Sequence, residues 1–186
     1  MANDSSQVRL APDGSVHVAP VGSTLPSNAT VALDSAFDEL GYLDEDGATL
    51  TPGVDLSDIM AWQSTVPVKT TLDSVKLEVN FKMLQANTTT WGLYFFNTEW
   101  TNNFGQAKLR LLSNPGTQEK ALVITWIDDE DDQTRLVLPK AVLADREALQ
   151  LVRNQAQLTG VTFRALDYNG DIGYVYSENP DLVPTS

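Results

Sequence analysis

The sequence contains no cysteine and only one histidine, His17. Disulfides, thiol nucleophiles and thiolate metal sites are therefore excluded, and this composition favours folding in a reducing cytoplasm. A histidine-based metal site would need more ligands than the chain has. A serine–histidine pair would have to use His17, and no G-x-S-x-G pattern accompanies it. No apolar run approaches the roughly 20 residues that span a bilayer, so no membrane insertion is expected. Met1 to Ser6, without a basic start or an apolar stretch, does not read as a secretory signal.

Positive charge is scarce, and it is unevenly placed. The chain carries 25 acids against 12 bases, a net charge of −13. This argues against ordinary nucleic-acid binding, which uses Lys and Arg to displace counterions from phosphates. Residues 1–68 hold ten acids and a single base, Arg9. Residues 69–186 are closer to neutral apart from the run Asp128-Asp129-Glu130-Asp131-Asp132. The acidity thus sits in the first third and in one short loop.

What is present is the pattern of an antiparallel β protein. With 42% apolar and 20% charged residues, the 186-residue chain has the make-up of a folded domain with a substantial core. Val75, Leu77, Val79, Phe81 and Met83 alternate with polar residues, predicting a strand with one wet face. Further strands are predicted at Ser15–Ala19, Ala121–Ile127, Arg135–Leu138, Leu149–Val152 and Val161–Ala165. Asn169-Gly170 predicts a hairpin turn leading into Ile172–Tyr176. A short helical turn is predicted at Leu33–Leu40 with Asp34 as N-cap, and a helix at Trp91–Phe96 behind Asn87 to Thr90. Thr98–Gly105 reads as loop. Residues 1–14 read as a flexible arm, 15–177 as the β domain and 178–186 as a tail. Residues 47–67, broken by Gly47, Pro52, Gly53 and Pro67, read as a long irregular loop. Its apolar residues Leu50, Val54, Leu56, Ile59, Met60 and Trp62 suggest packing against another chain.

Candidate chemistry has plainer explanations. The acidic run lacks the ligand spacing of an EF-hand and reads as a charged hairpin tip. Asp44-Glu45-Asp46-Gly47 reads as a turn. Paired-carboxylate hydrolysis would need two acids in a cleft, whereas most acids here fall in loops. Trp91, Tyr94, Phe95, Phe96 and Trp100 read as helix-to-sheet packing before they read as a sugar platform; Trp62 is the better candidate for an exposed contact. No phosphate-binding glycine loop follows any strand.

The ordered set of segments resembles the major tail proteins of long-tailed, non-contractile phages, particularly those of actinobacteria. The resemblance is carried by Ser15-Val16-His17-Val18-Ala19-Pro20-Val21-Gly22-Ser23-Thr24-Leu25-Pro26 and by Ala36-Phe37-Asp38-Glu39-Leu40-Gly41-Tyr42-Leu43-Asp44-Glu45-Asp46-Gly47. The long alternating strand, Leu136 to Ala141 and the Gly160–Tyr176 segment follow in matching order. This resemblance implies a tail tube fold: an antiparallel β-sandwich or barrel with one flanking helix and a long inter-strand loop, mapping to about Gly47–Pro67, that stacks rings. It implies no catalytic residue, cofactor or metal. The implied partners are other copies of the chain in stacked, hexameric rings, together with tip or initiator, tape-measure and terminator proteins of the tail. DNA would be met only in transit; on electrostatic grounds Asp44, Glu45, Asp46, Asp55 and Asp58 are expected to line the lumen or the ring faces. The implied location is a virion tail, assembled in the bacterial cytoplasm. A tail terminator of related fold and a secreted carbohydrate-binding β-sandwich using Trp62 or Trp100 are the rival readings.

Overall fold

Alternating apolar residues build strands that share one buried face, and the long strand predicted around Phe81 contributes Val79, Phe81 and Met83 to it. The computed structural model describes residues 7–96 and 100–184. Parts of three predicted segments, the N-terminal arm (residues 1–6), the 98–105 loop (Thr98 and Glu99) and the tail (Thr185 and Ser186), lie outside the described residues. The strands are β1 (Asp13–Pro20), β2 (Asp38–Glu39), β3 (Leu43–Met60), β4 (Pro67–Met83), β5 (Trp100–Asn103), β6 (Gln106–Leu109), β7 (Glu119–Ile127), β8 (Gln133–Arg146), β9 (Thr159–Ala165) and β10 (Tyr174–Ser177). One helix, α1 (Thr88–Tyr94), follows β4. The fold is mainly β and antiparallel, consistent with a β-sandwich.

Eight strands form one sheet in the order β2-β1-β7-β8-β9-β4-β3, with β10 also paired to β8. β8 is the corner. Along one edge its residues 133–142 pair with β7. Along the other, Thr134–Val137 pair with β10 and Ala141–Arg146 with β9. The change of partner coincides with a bulge: Leu138 faces Leu122 and Ala141 faces Lys120, leaving one extra residue around Pro139-Lys140. Bulges bend and twist a strand, so a single sheet can fold over on itself. The enclosed core joins both halves and includes Val16, Leu122, Leu138, Phe81, Met83 and Phe163, with Leu93 and Tyr94 of α1 beneath them. The Phe81 and Phe163 rings stack with centroids 6.0 Å apart.

The opposite face of β1, β7 and β8 is covered as well. Ala19, Ala121, Val123 and Val137 pack with Phe37, Leu25 and Leu33 of the segment before β2. This explains why Ala121–Ile127 reads as a continuous apolar run and not as an alternation: both faces are dry. Buried Arg135 pins the covering segment by donating to the carbonyls of Asn28 (3.1 Å) and Val31 (2.8 Å) and to Thr125 Oγ1 (3.1 Å).

Several sequence expectations are corrected. Leu33–Leu40 is not helical. Asp34 folds an Asx turn by accepting from the Ala36 N–H at 2.9 Å, and the chain then runs extended so that Asp38 and Glu39 pair with Val18 and His17. The long irregular loop at 47–67 is instead most of a two-stranded β3–β4 hairpin. Pro52 and Gly53 read as breakers, yet β3 is the last strand of the sheet, where proline is tolerated. Leu149–Val152 forms no strand. Asn169 and Gly170 do turn the chain, both with positive φ, but Tyr174–Ser177 crosses to β8 and does not pair back on β9. Within 100–105, the predicted loop is part of the separate β5–β6 ribbon. Helix α1 starts earlier than expected, capped reciprocally: Asn87 Oδ1 accepts from the Thr90 N–H at 2.9 Å, and Thr90 Oγ1 accepts from the Asn87 N–H at 3.1 Å.

His17 lies half-buried in β1, between Glu39 and Arg135, and its Nδ1 has no hydrogen-bond partner. Burial pushes the imidazole below its ordinary value; Glu39 opposes the shift and Arg135 adds to it.

Two outcomes follow for stability. Phe163→Ala should cost about 3–5 kcal/mol in urea unfolding, as a fully buried aromatic leaves a cavity, whereas Leu56→Ala on the exposed hairpin should change stability by less than about 0.5 kcal/mol. With its folded-state pKa below the unfolded value, His17 contributes stability that is complete above the unfolded pKa of about 6.5 and is lost as pH falls toward the folded value. His17→Gln should accordingly lose less Tm than the parent between pH 7.5 and 5.5, measured by thermal melts across that range.

Candidate functional site

The β3–β4 hairpin leaves the body of the protein as an arm. β9 accompanies β4 only from Glu78 to Met83, so β4 outward of Glu78 has β3 as its sole strand partner. Almost every residue of β3 beyond Ala48 is exposed. Isolated two-stranded ribbons are marginal in water, and this one has no second layer to bury its side chains.

The register sorts those side chains onto two faces, since directly opposite residues share a face. Leu50 faces Val79, Pro52 faces Leu77, Val54 faces Val75 and Leu56 faces Leu72. This is the same face that Val79 and Phe81 present to the core, so an apolar stripe continues past the edge of the body into solvent. Val54, Leu56, Leu72 and Val75 are each more than half exposed. The other face is polar: Asp55 faces Ser74 and Ser57 faces Thr71. Asp55 is bonded to Lys76 and, at 2.7 Å, to Ser74 Oγ. The Lys76 and Ser74 contacts hold the Asp55 carboxyl below its ordinary value. On that face Ser57 Oγ also bonds to Asp73, whereas Asp58 lies on the apolar face beyond Leu56 and accepts from Thr70 Oγ1 at 2.7 Å.

Of the six apolar residues singled out in the sequence, Leu50 sits at the root of the arm and Val54 and Leu56 lie on its apolar face. Ile59 faces Lys69 on the polar side, beyond a register shift at Asp55/Leu56. Met60 ends the strand, and Trp62 stands 99% exposed in the turn. The β4 residues Leu72, Val75 and Leu77 complete the stripe. Their alternation is visible in the sequence, but it does not reveal that the strand outruns the body.

The five candidate acids separate into two groups. Asp55 and Asp58 are on the arm. Asp44, Glu45 and Asp46 lie in a wide bulge of β3, where Leu43 pairs with Met83 and the next pair is Ala48 with Phe81. This bulge borders an open cleft that also includes Asp13, Glu39, Tyr42 and Trp126. Asp46 lies 3.8 Å from Lys82 Nζ.

The acidic run forms the β7–β8 hairpin tip. Buried Asp128 folds it by accepting from the N–H groups of Glu130 (3.0 Å) and Asp132 (2.9 Å). The tip grips the N-terminal segment: Arg9 lies 2.8 Å from Glu130, 3.8 Å from Asp128 and 3.7 Å from Asp181, and the Leu10 N–H donates to Asp129 at 3.1 Å. Among the described residues no group of three or more His, Asp or Glu side chains is arranged to hold a metal ion.

In the aromatic cluster around α1, Tyr94 is buried and Phe95 packs against the core, Trp91 and Trp100 are half-buried, and Phe96 is exposed under the Arg146 guanidinium. Trp91 lies 5.5 Å from Phe95 and 6.5 Å from Trp100, and Trp100 Nε1 donates to the Thr88 carbonyl at 3.1 Å. These rings form no open platform, and Trp62 stands alone at the arm tip. No described helix is long and apolar enough to cross a membrane.

Among solved structures, the chain is similar to one in the cryo-EM structure of the anti-feeding prophage baseplate, 6-fold symmetrised. Identity is 13%, 94% of this chain and 97% of that chain are covered, and the TM-score is 0.50, which shows a shared fold. No curated protein sequence matches it. The sequence model of the phage tail tube proteins matches residues 1–183, nearly the whole chain, and the protein belongs to that family.

Proposed function

We propose that this phage tail structural subunit forms closed rings that stack into a tube, with the β3–β4 arm as the stacking element. One observation carries the reading: an apolar stripe continuous with the core extends along a two-stranded arm that nothing in the described chain covers. An exposed apolar ribbon of this kind is an aggregation hazard unless a partner buries it. A subunit that meets copies of itself at every ring provides such a partner, and head-to-tail contacts repeated along an axis generate a tube.

Within a ring, the sheet can be continued from subunit to subunit through its two terminal strands. β3 has no partner on its outer side, and β2 shields only His17 and Val18 of β1. Joining such edges around a ring removes them from solvent. Six subunits per ring is the reading favoured by the family resemblance, and the similar baseplate chain belongs to a 6-fold symmetrised assembly. Tip, tape-measure and terminator proteins would be the other partners, in a virion tail assembled in the host cytoplasm. The role is structural and includes no catalytic step.

The acids of the β3 bulge would serve the channel. An acidic lumen repels DNA phosphates and limits sticking during passage, and Asp44, Glu45 and Asp46 are the most concentrated acids of the first third.

Two experiments test the reading. Leu56→Asp with Trp62→Ala should leave a folded monomer with unchanged thermal stability and abolish long tubes in negative-stain micrographs. Tubes of normal length and axial repeat would overturn the arm's role. Replacing Asp44, Glu45 and Asp46 with Lys should preserve tubes but reduce infectivity of the phage that carries them, with slowed DNA release; unchanged release would remove these acids from the lumen.

A further inference from the structure

The face of β1, β7 and β8 that turns away from the core is roofed by a strap with little bonding of its own. From Leu25 to Phe37 the chain forms no helix or strand. Among the described residues its one internal backbone-to-backbone hydrogen bond runs from the Phe37 N–H to the Asp34 carbonyl, at 3.0 Å. The Thr30 and Val31 amides donate instead to Asn28 Oδ1, at 3.0 and 2.6 Å. The strap is fastened to the sheet by side chains of β8. Arg135 donates to the Asn28 and Val31 carbonyls, and Gln133 Nε2 donates to the Ala29 carbonyl at 2.6 Å. Leu25, Leu33 and Phe37 supply the apolar contact. A segment held by so few ties opens at a lower free energy than the strands beneath it.

The main fastener is a buried cation. Arg135 is 5% exposed, and among the described residues no carboxylate pairs with it. Its Nε donates to Thr125 Oγ1, which carries the guanidinium across β7 toward β1, one strand spacing of about 4.8 Å farther on. His17 lies there. Val16 and Val18 face the core, so His17 faces the strap, opposite Val123 of β7. Its Nδ1 is buried and has no hydrogen-bond partner. A neutral imidazole can leave that nitrogen as an idle acceptor. The imidazolium has a proton on both nitrogens, which here leaves a buried donor without an acceptor beside a buried guanidinium.

The other groups around His17 do not neutralise it. From β2, exposed Glu39 stands directly opposite and favours the proton; from β8, Arg135 disfavours it. Tyr176 of β10, opposite Arg135, stays neutral in acid. β7 contributes only Val123 and its apolar and hydroxyl neighbours Ala121 and Thr125 on this face. Val21 to Leu33 contains no titratable side chain, and Asp34 follows it. Burial outweighs Glu39, so the imidazole stays below its ordinary value.

We infer that residues 25–37 form an acid-released strap: a proton on His17 sets a second cation against Arg135 and frees the strap while the core stays folded. Opening would uncover Ala19, Ala121, Val123 and Val137, an apolar face that is dry when the strap is closed. The sign follows from the two states. In the open state His17 titrates near its ordinary value of about 6.5, and in the closed state below it. Closure is therefore fully favoured above about pH 6.5 and weakens as pH falls toward the closed-state value, by about tenfold in the opening equilibrium per pH unit between the two.

Hydrogen exchange of the full-length chain, corrected for the intrinsic pH dependence of amide exchange, tests this. Between pH 7.5 and 5.0 the opening equilibrium at the Thr30, Val31 and Phe37 amides should rise at least about fivefold, while the Phe81 and Phe163 amides keep their protection. His17→Gln should abolish the rise. Glu39→Gln, on an exposed residue, should leave the fold intact and move the release midpoint to lower pH, because it removes the charge that favours the proton. The inference is overturned if the strap amides do not respond to acid, if core amides accelerate equally, or if the response survives His17→Gln. A midpoint that Glu39→Gln leaves in place or raises overturns it as well.

Discussion

Everything in this fold is hung on one strand that must satisfy two partners along a single edge. β8 gives its first half to β10 and its second half to β9, and the extra residue at Pro139-Lys140 makes the exchange possible. Without that bulge the sheet would continue flat, and Leu122 and Leu138 would have no reason to meet Phe81 and Phe163. A second accommodation serves the same end. Gly173 leads β10 into place, and a β-carbon there would come within 2.7 Å of Leu138 Cδ2 and 2.9 Å of the Val137 carbonyl oxygen. The bend therefore depends on one added residue and one missing side chain.

The corner also decides where the fold ends and the arm begins. β9 is short because β8 has already turned away, so β4 loses its second neighbour at Glu78 and proceeds with β3 alone. On the proposed reading, core stability and assembly are thereby divided between separate stretches of the same strand. Phe81 and Val79 hold the domain together, while Val75 and Leu72 lie on the same face and hold nothing within the chain.

Much of this was legible from the sequence, for reasons that differ by element. The Val75–Met83 alternation, the α1 cap at Asn87 and the charged tip at Asp128–Asp132 are local patterns whose meaning does not depend on distant residues. The errors arise where distant residues decide. Leu33–Leu40 has a helix-like start at Asp34, but Arg135, a hundred residues on, claims the carbonyls before it and β1 claims Asp38 and Glu39. Pro52 and Gly53 read as breakers because local rules cannot show that β3 is an edge strand. Asn169-Gly170 announces a turn correctly and says nothing of which strand the chain will join. The candidate acids and apolar residues of the arm were found by composition; their division into two faces required the register, which shifts at three places along β3.

The grip of the acidic tip on Arg9 has a topological consequence. Arg9 reaches Glu130 and Asp181 together, so the segments near both ends of the described chain meet at a single β-turn. The Arg9 ion pairs and the Leu10 hydrogen bond to Asp129 thus close the two end segments onto one turn. A short peptide could join the two ends covalently, and the chain could be reopened at the exposed Phe104-Gly105 turn with every strand keeping its neighbours. The order of the elements along the polypeptide is in that sense separable from the architecture they build.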